Sequence, residues 1–327
     1  MRGIRPGARP IARDRARQGR KQVRRQSELG GARMSNERLG FVGLGTMGRP
    51  MCTNLLAAGF EVSVYARREE QMRPLQALGA RPLASPKAVA EAADVIITIV
   101  GDSPDVEAVV TGENGLLAGA RAGQAIIDMT SIAPEAARRL AAVAAQKGVA
   151  MLDAPVTGGD VGAKQGTLTI MVGGDKAVLE RCRPILERLG KRIVWAGEAG
   201  MGQTLKLCNQ ILCGLHLVAM GEGLAFAQAC GLDLETVLEV VTNGAAGSWA
   251  LSNLGPRIAR GDFAPGFSVG WQQKDLRNAQ AHGQALQFPM PGTALAQQLL
   301  RFTEALGHTD SGTQAIIKAY EAMQAKR

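Results

Sequence analysis

The sequence predicts an α/β protein: a doubly wound parallel sheet, then one long interdomain helix and an all-α C-terminal domain. Three observations carry that reading. Short continuous apolar runs alternate with helical stretches between residues 39 and 197, as in βαβ units whose sheet is buried on both faces. A glycine-punctuated turn, Gly43-Leu44-Gly45-Thr46-Met47-Gly48, joins the first apolar run to the first helical stretch. Beyond Gly202 the strand punctuation stops, and the chain reads as helix almost to its end.

In order, LGFVGL (39–44) is the first strand and MGRPMCTNLLAAG (47–59) a helix ending at Gly59. FEVSVYA (60–66) is the second strand, and residues 69–79 form a helix that Pro74 bends or shortens. DVIITIV (94–100), QAIIDM (124–129) and VAMLDAP (149–155) are further strands; a helix over 134–147 separates the last two, with Pro134 in its first turn. TLTIMVG (167–173) and RIVWAG (192–197) add two strands around a helix at 176–189. A first domain over 34–196 results. LKLCNQILCGLHLVAMGEGLAFAQACG (205–231) is apolar enough to suggest a membrane span. Lys206, Asn209, Gln210, His216 and Glu222 interrupt it, so it reads as a buried helix between domains, with no membrane partner. Helices over 233–242, around 248–259, 274–283, 293–306 and 314–325 complete a second domain, 197–327. No internal repeat is visible.

Composition excludes several function classes. The chain has 327 residues, 46% apolar and 20% charged, which fits two ordinary globular domains. Cys52, Cys182, Cys208, Cys213 and Cys230 form no CxxC pair and read as reduced intracellular thiols, packing residues by default. His216, His282 and His308 are scattered, so neither a metal site nor a Ser-His-Asp triad is expected; His216 reads as a core histidine. The net charge of +9 sits entirely in residues 1–33, where ten Arg and one Lys face Asp14 and Glu28. That segment has no apolar periodicity and reads as disordered. Three readings compete for it: a basic arm for nucleic acid, an organellar transit peptide, or translation from an upstream start with the working protein beginning at Met34. The third is preferred and implies a cytoplasmic protein. A transit peptide would imply the mitochondrial matrix.

The first turn carries chemistry. GxGxxG at Gly43, Gly45 and Gly48 follows a strand and opens a helix, the context of a Rossmann-type dinucleotide site. The first glycine makes the turn, the second lets backbone approach a pyrophosphate, and the third packs helix on strand. The helix N-terminus adds N–H groups and a positive dipole. A tight turn without a ligand is the alternative. Some twenty residues on, where an NAD site places an acidic residue, stand Arg67 and Arg68. Arginine there pairs with a 2′-phosphate, which points to NADP. If both merely form a solvated loop tip, NAD serves as well. Lys206, Asn209 and Gln210 fall at i, i+3 and i+4 on one helix face. A lysine in so apolar a helix is either a structural residue at a domain seam or one whose lowered pKa suits proton transfer.

Four motifs in order, GFVGLGTMG, DAPVTGG…GTLTIMVGG, GMGQTLKLCNQ and KDLRNA, resemble the β-hydroxyacid dehydrogenase family over essentially all of 38–325. The resemblance implies an NAD(P)-dependent oxidoreductase that interconverts a small 3-hydroxy acid and its semialdehyde. It implies that Thr157, Gly158 and Gly159 grip the substrate carboxylate with main-chain N–H groups, a nest-like anion site. It makes Lys206 the catalytic acid/base, with Asn209 and Gln210 orienting substrate. Of the hydroxyl pair, Ser131 is assigned to substrate and Thr130 to the cofactor side. Lys274 closes over the cofactor, fixed by Asp275, and Val100 with the turn 101–104 lies beside the nicotinamide ribose. The turn residues Leu44, Thr46 and Met47 join the three glycines in holding the dinucleotide. Family members pair through the helical domain, implying a homodimer or homotetramer. Leu205 stands where 6-phosphogluconate dehydrogenases carry a histidine beside the lysine. Lys206 itself speaks against the imine reductases and against a non-catalytic dinucleotide-binding module with a nucleic-acid-binding tail. Segments at 245–254, 261–276 and 308–315 look most like tartronate semialdehyde reductases. The 3-hydroxyisobutyrate dehydrogenases and succinic/glyoxylate semialdehyde reductases are the alternatives. Trp249 and Trp271 fall in segments expected at the cleft edge.

Overall fold

The computed structural model describes residues 37–324. The three readings of residues 1–33 therefore lie outside the described residues.

Five strands run parallel: β1 (Leu39–Val42), β2 (Val62–Tyr65), β3 (Arg81–Pro82), β4 (Val95–Thr98) and β5 (Ala125–Asp128), joined by β6 (Ala150–Asp153) in the same sense. Their order is β3-β2-β1-β4-β5-β6, so the chain reverses direction of travel across the sheet between β1 and β4. Residues of β1, β4 and β5 are buried throughout, as strands covered on both faces must be. One apolar cluster, around Phe41, Leu55, Ile97 and Ile127, covers one face. A second, around Val42, Ile96, Val106 and Leu140, covers the other. The helices of these layers include α1 (Gly48–Ala57), α2 (Arg73–Gln76), α3 (Pro86–Ala92), α4 (Ser103–Thr111), α5 (Leu116–Gly119) and α6 (Pro134–Ala145). The 69–79 segment is indeed broken, into a 3-10 turn and the four-residue α2, with Pro74 in the first turn of α2.

The far end of the sheet departs from the expected parallel arrangement. After β6 come β7 (Val156–Thr157), α7 (Gly159–Gln165) and β8 (Leu168–Gly173), and β8 runs antiparallel to both β6 and β7. The link from β7 to β8 is too short for the crossover that parallel neighbours need, whereas an antiparallel partner is reached directly. The strand β9 (Gly190–Gly197), reached through α8 (Lys176–Leu186), returns parallel to β8 at the edge.

A 29-residue helix, α9 (Met201–Ala229), then leaves the sheet. It alone among the described helices is long and apolar enough to cross a membrane by length and composition. One face of it is spent inside the protein, while Leu205, Leu212 and Phe226 are exposed. Leu217, Met220 and Leu224 pack with residues of α10 (Leu234–Val241), α11 (Trp249–Asn253), α12 (Gly255–Ala259), α13 (Val269–Ala285), α14 (Pro291–Ala305) and α15 (Ile317–Met323) in a core of their own. Helix α13 begins five residues earlier than expected, because the Ser268 hydroxyl accepts the Trp271 N–H and caps it. His216 is exposed rather than part of the core. Of the cysteines, Cys52 and Cys182 are packing residues, while Cys208 and Cys230 are exposed.

Candidate active site

In-register pairing of Val42 with Thr98, Thr98 with Asp128, and Asp128 with Asp153 brings the ends of β1, β4, β5 and β6 to one edge. The loops beginning at Gly43, Ile99, Met129 and Ala154 leave from that edge. Open α/β sheets bind ligands there, where the strand order reverses.

The three glycines of the first turn have different reasons. Gly43 has φ +99°, and a Cβ on it would lie 2.0 Å from the Ile99 carbonyl oxygen. On Gly48 a Cβ would lie 1.9 Å from the Gly43 carbonyl oxygen. Both are therefore demanded by the fold. Gly45 is exposed, and nothing lies within 4 Å of where its Cβ would be. The protein leaves that side open, which fits a dinucleotide whose phosphates approach the main chain. Helix α1 starts at Gly48 with no side-chain cap at Met47, so its first N–H groups are free of a capping side chain. Leu44 is buried and can offer a ligand only its backbone; Thr46 is exposed. Arg67 and Arg68, just past β2, are exposed. Arg67 Nη1 lies 3.4 Å from Asp105 and Arg68 Nε lies 3.8 Å from Glu70, loose pairs that leave both guanidinium groups free to turn to a ligand.

Beyond β7 the chain makes an open glycine corner. Gly158 (φ +127°) and Gly159 (φ +63°) are both exposed, and Gly159 again has nothing within 4 Å of a Cβ position. Thr157 precedes them, half-buried.

Helices α9 and α13 contribute side chains instead. Lys206 is buried, and its ammonium donates to Gln210 Oε1 at 3.0 Å. Burial lowers the Lys206 pKa, against the opposing pull of Asp275. Gln210 has no group left over. Its oxygen also accepts Asn209 Nδ2 at 2.8 Å, and its amide donates to Asp275 Oδ2 at 2.7 Å and Gln272 Oε1 at 3.2 Å. The structure thus gives Gln210 to Lys206 as a support. Asn209, half-buried, also approaches Cys213 Sγ at 3.5 Å. Lys274 donates to the Ser131 carbonyl at 2.5 Å, and its ammonium lies 3.1 Å from Asp275 Oδ1 and 5.4 Å from the Trp271 ring centre. Trp271 and Trp249 are both exposed.

Ser131 is half-buried and its neighbour Thr130 fully enclosed. The Thr130 hydroxyl is committed to the protein: it donates to Asp128 Oδ1 at 2.7 Å and accepts the Val100 N–H at 3.0 Å. Thr130 therefore holds the Val100 turn rather than reaching outward. Asp128 also accepts the Thr98 hydroxyl at 2.7 Å, and its second oxygen has no partner. Burial pushes Asp128 up to about 6, although the threonine hydrogen bonds pull the other way. Asp153 beside it takes the N–H groups of Gly200 and Gln203 at 2.7 and 2.8 Å, capping α9 with a carboxylate. Sequence reasoning passed over Asp128, Asp153, Gln203, Gln272 and Thr98. Only Gln203 left a local signal, lying one turn before Lys206 on the same face of an apolar helix.

Two family models cover this chain. One, described as the NAD binding domain of 6-phosphogluconate dehydrogenase, matches residues 38–197. The other, described as the NAD-binding of NADP-dependent 3-hydroxyisobutyrate dehydrogenase, matches residues 200–320. The 2-hydroxy-3-oxopropionate reductase of Escherichia coli is 41% identical over 88% of this chain and 98% of its own length. The chain belongs to the β-hydroxyacid dehydrogenase family. An uncharacterized oxidoreductase of Bacillus subtilis is 44% identical over 86% of this chain and 98% of its own. The Mycobacterium tuberculosis 3-hydroxyisobutyrate dehydrogenase, solved with L-serine, superposes with a TM-score of 0.80 at 33% identity, covering 87% of this chain and 99% of that one. As a member of this family the chain is an oxidoreductase with an NAD(P)-binding domain, and its fold is the expected Rossmann-type sheet with a helical C-terminal domain.

Proposed function

We propose that the protein interconverts a small 3-oxo acid (a semialdehyde) and its 3-hydroxy acid, with tartronate semialdehyde as first substrate and NADP as preferred dinucleotide. The observation that carries this reading is the buried Lys206 ammonium, held by Gln210 and set beside a network with Asp275. When bound, the nicotinamide donates or accepts the hydride. Lys206 protonates the carbonyl oxygen during reduction and takes the proton back during oxidation, and its lowered pKa brings that exchange closer to neutral pH. Its charge also stabilises the developing alkoxide. Thr157, Gly158 and Gly159 hold the substrate carboxylate, and Ser131 and Asn209 orient the reacting carbon. Lys274 ties α13 to the Ser131 loop. Arg67 and Arg68 take the 2′-phosphate. The likeness to the Escherichia coli reductase supports the substrate. The Mycobacterium tuberculosis relative, bound to L-serine, favours 3-hydroxyisobutyrate or L-serine as the second reading.

A dehydrogenase assay at 340 nm tests it, with tartronate semialdehyde, succinic semialdehyde, 3-hydroxyisobutyrate and L-serine, each with NADP(H) and NAD(H). Turnover with tartronate semialdehyde and NADPH above the other pairs is expected. No turnover of any short semialdehyde or 3-hydroxy acid with either dinucleotide would sink the reading.

A further inference from the structure

We infer that Gln203 is a positioning residue: it locks the Thr130–Ile132 turn to the first turn of the helix that carries Lys206. Gln203 is fully buried. Its Oε1 accepts the Ile132 N–H at 3.0 Å, and its Nε2 donates to the Thr130 carbonyl at 2.7 Å. One side chain thus satisfies the main chain on both sides of Ser131. Its own main chain is anchored too, because its N–H donates to Asp153 Oδ2 on β6. From α13, Lys274 grips the Ser131 carbonyl between those two bonds. Gln203 and Lys206 are three residues apart on α9, so they share a helix face. The clamp therefore sets where the Ser131 hydroxyl stands relative to the Lys206 ammonium. It also acts on the cofactor side, since Thr130 holds the Val100 N–H.

The amide is required by its two-sided chemistry. Leucine of similar volume would leave a buried donor and a buried acceptor unpaired. Glutamate supplies the acceptor, and supplies the donor only when protonated. The carboxyl groups of Asp153 on β6 and Asp128 on β5 and the ammonium groups of Lys206 and Lys274 face this site. Burial beside Asp153 favours the neutral form of an introduced carboxyl, increasingly as pH falls.

The inference rests on the reading of Ser131 and Lys206 as groups that meet one substrate. Gln203→Leu, Gln203→Glu and Gln203→Asn would be compared with the unaltered protein by steady-state kinetics from about pH 5 to about pH 7 and by amide hydrogen exchange over residues 129–133. In Gln203→Leu, kcat should fall about 10²-fold with little change in KM, the cost of a misplaced reacting geometry. Exchange over 129–133 should quicken at least about tenfold, as expected when buried hydrogen bonds are lost. Gln203→Glu should restore most of both. Losses in the Glu variant equal to those in the Leu variant throughout that pH range would show that the paired donor and acceptor do not decide the effect and would overturn the proposal, as would a Leu variant with kcat within about twofold of the unaltered protein. If Gln203→Leu does not fold, Gln203→Asn decides, because it is one carbon short of bridging both groups. Its kcat should fall, and unchanged kcat refutes the clamp. An unaltered protein without semialdehyde activity would instead defeat the proposed function, and the exchange data would still test the clamp.

Discussion

Along the carboxyl edge of the sheet the site is made of main chain. Gly45, Gly158 and Gly159 are exposed, and open space lies beside the Cβ positions of Gly45 and Gly159. On α9 and α13 it is made of side chains. Lys206, Gln210, Asp275 and Lys274 are buried and linked by hydrogen bonds and an ion pair, and Gln203 is buried one turn before Lys206. On the proposed function, the difference follows from two tasks. An anion such as a phosphate or carboxylate is held by N–H groups that carry no titratable proton, so glycine backbone suffices. A proton must be given and taken by one group with a tuned pKa, which needs a side chain and a buried frame around it.

The largest expected effect is on the side-chain wall. Lys206→Met should lower kcat by about 10²–10⁴-fold while leaving dinucleotide affinity unchanged, read at 340 nm and by fluorescence titration. Reduction by the unaltered protein should slow as pH rises through the Lys206 pKa, which burial places below the ordinary 10.5. That limb should vanish in the variant. Comparable loss of dinucleotide binding would break the division of labour between the two walls.

A sharper version compares glycines of one turn. Gly48→Ala forces a Cβ against a backbone oxygen and should cost about 2–3 kcal/mol of stability in denaturant melts. Gly45→Ala meets open space, so stability should hardly change while dinucleotide affinity falls. Equal destabilisation by both would show that Gly45, too, serves the fold.

Next in size is the buried carboxyl beneath the two walls. Unfolded, Asp128 titrates near the ordinary 3.8; folded, it titrates at about 6. Between those values the folded state holds the extra proton, so this contribution is full below the lower one and is lost as pH rises through about 6. Asp153 is shifted in the same direction. Asp128→Asn keeps one acceptor oxygen and removes the titration. The fall in stability between pH 4 and 7 should therefore shrink by roughly 2–3 kcal/mol. An unchanged pH profile would show that Asp128 does not titrate in this range.

The smallest effect belongs to the exposed rim. Arg67→Ala should leave the melting temperature unchanged, since its pair with Asp105 is solvent-exposed. It should weaken NADPH binding about tenfold, with NADH binding unaffected. Equal change for both dinucleotides would remove Arg67 from the 2′-phosphate.

Much of this protein was legible in its residues. Runs such as VIIT and AIID, each bounded by turn residues, marked buried parallel strands, and the apolar stretch after Gly202 marked α9. Helix α7 was not legible, because its glycine-rich sequence has poor helix propensity and packing against Leu168 holds it in place. The antiparallel turn of β8 was also hidden, since strand direction has no signature in a strand's own residues. His216 shows the same limit: its place in an apolar stretch suggested burial, yet its helix face is exposed.

The sequence by itself determined the strands β1, β2, β4, β5 and β6, the long helix α9, the glycine turn after β1 and the shared face of Lys206 and Gln210. Period, punctuation and helical spacing are local properties, carried within a dozen residues. Only the tertiary structure decided that Asp153 caps α9 across 47 positions, that Gln203 reaches Thr130 across 73, and that Lys274 reaches Ser131 across 143. Those bonds join groups that no local pattern relates, and they form because a buried donor or acceptor must find a partner wherever the packed fold supplies one.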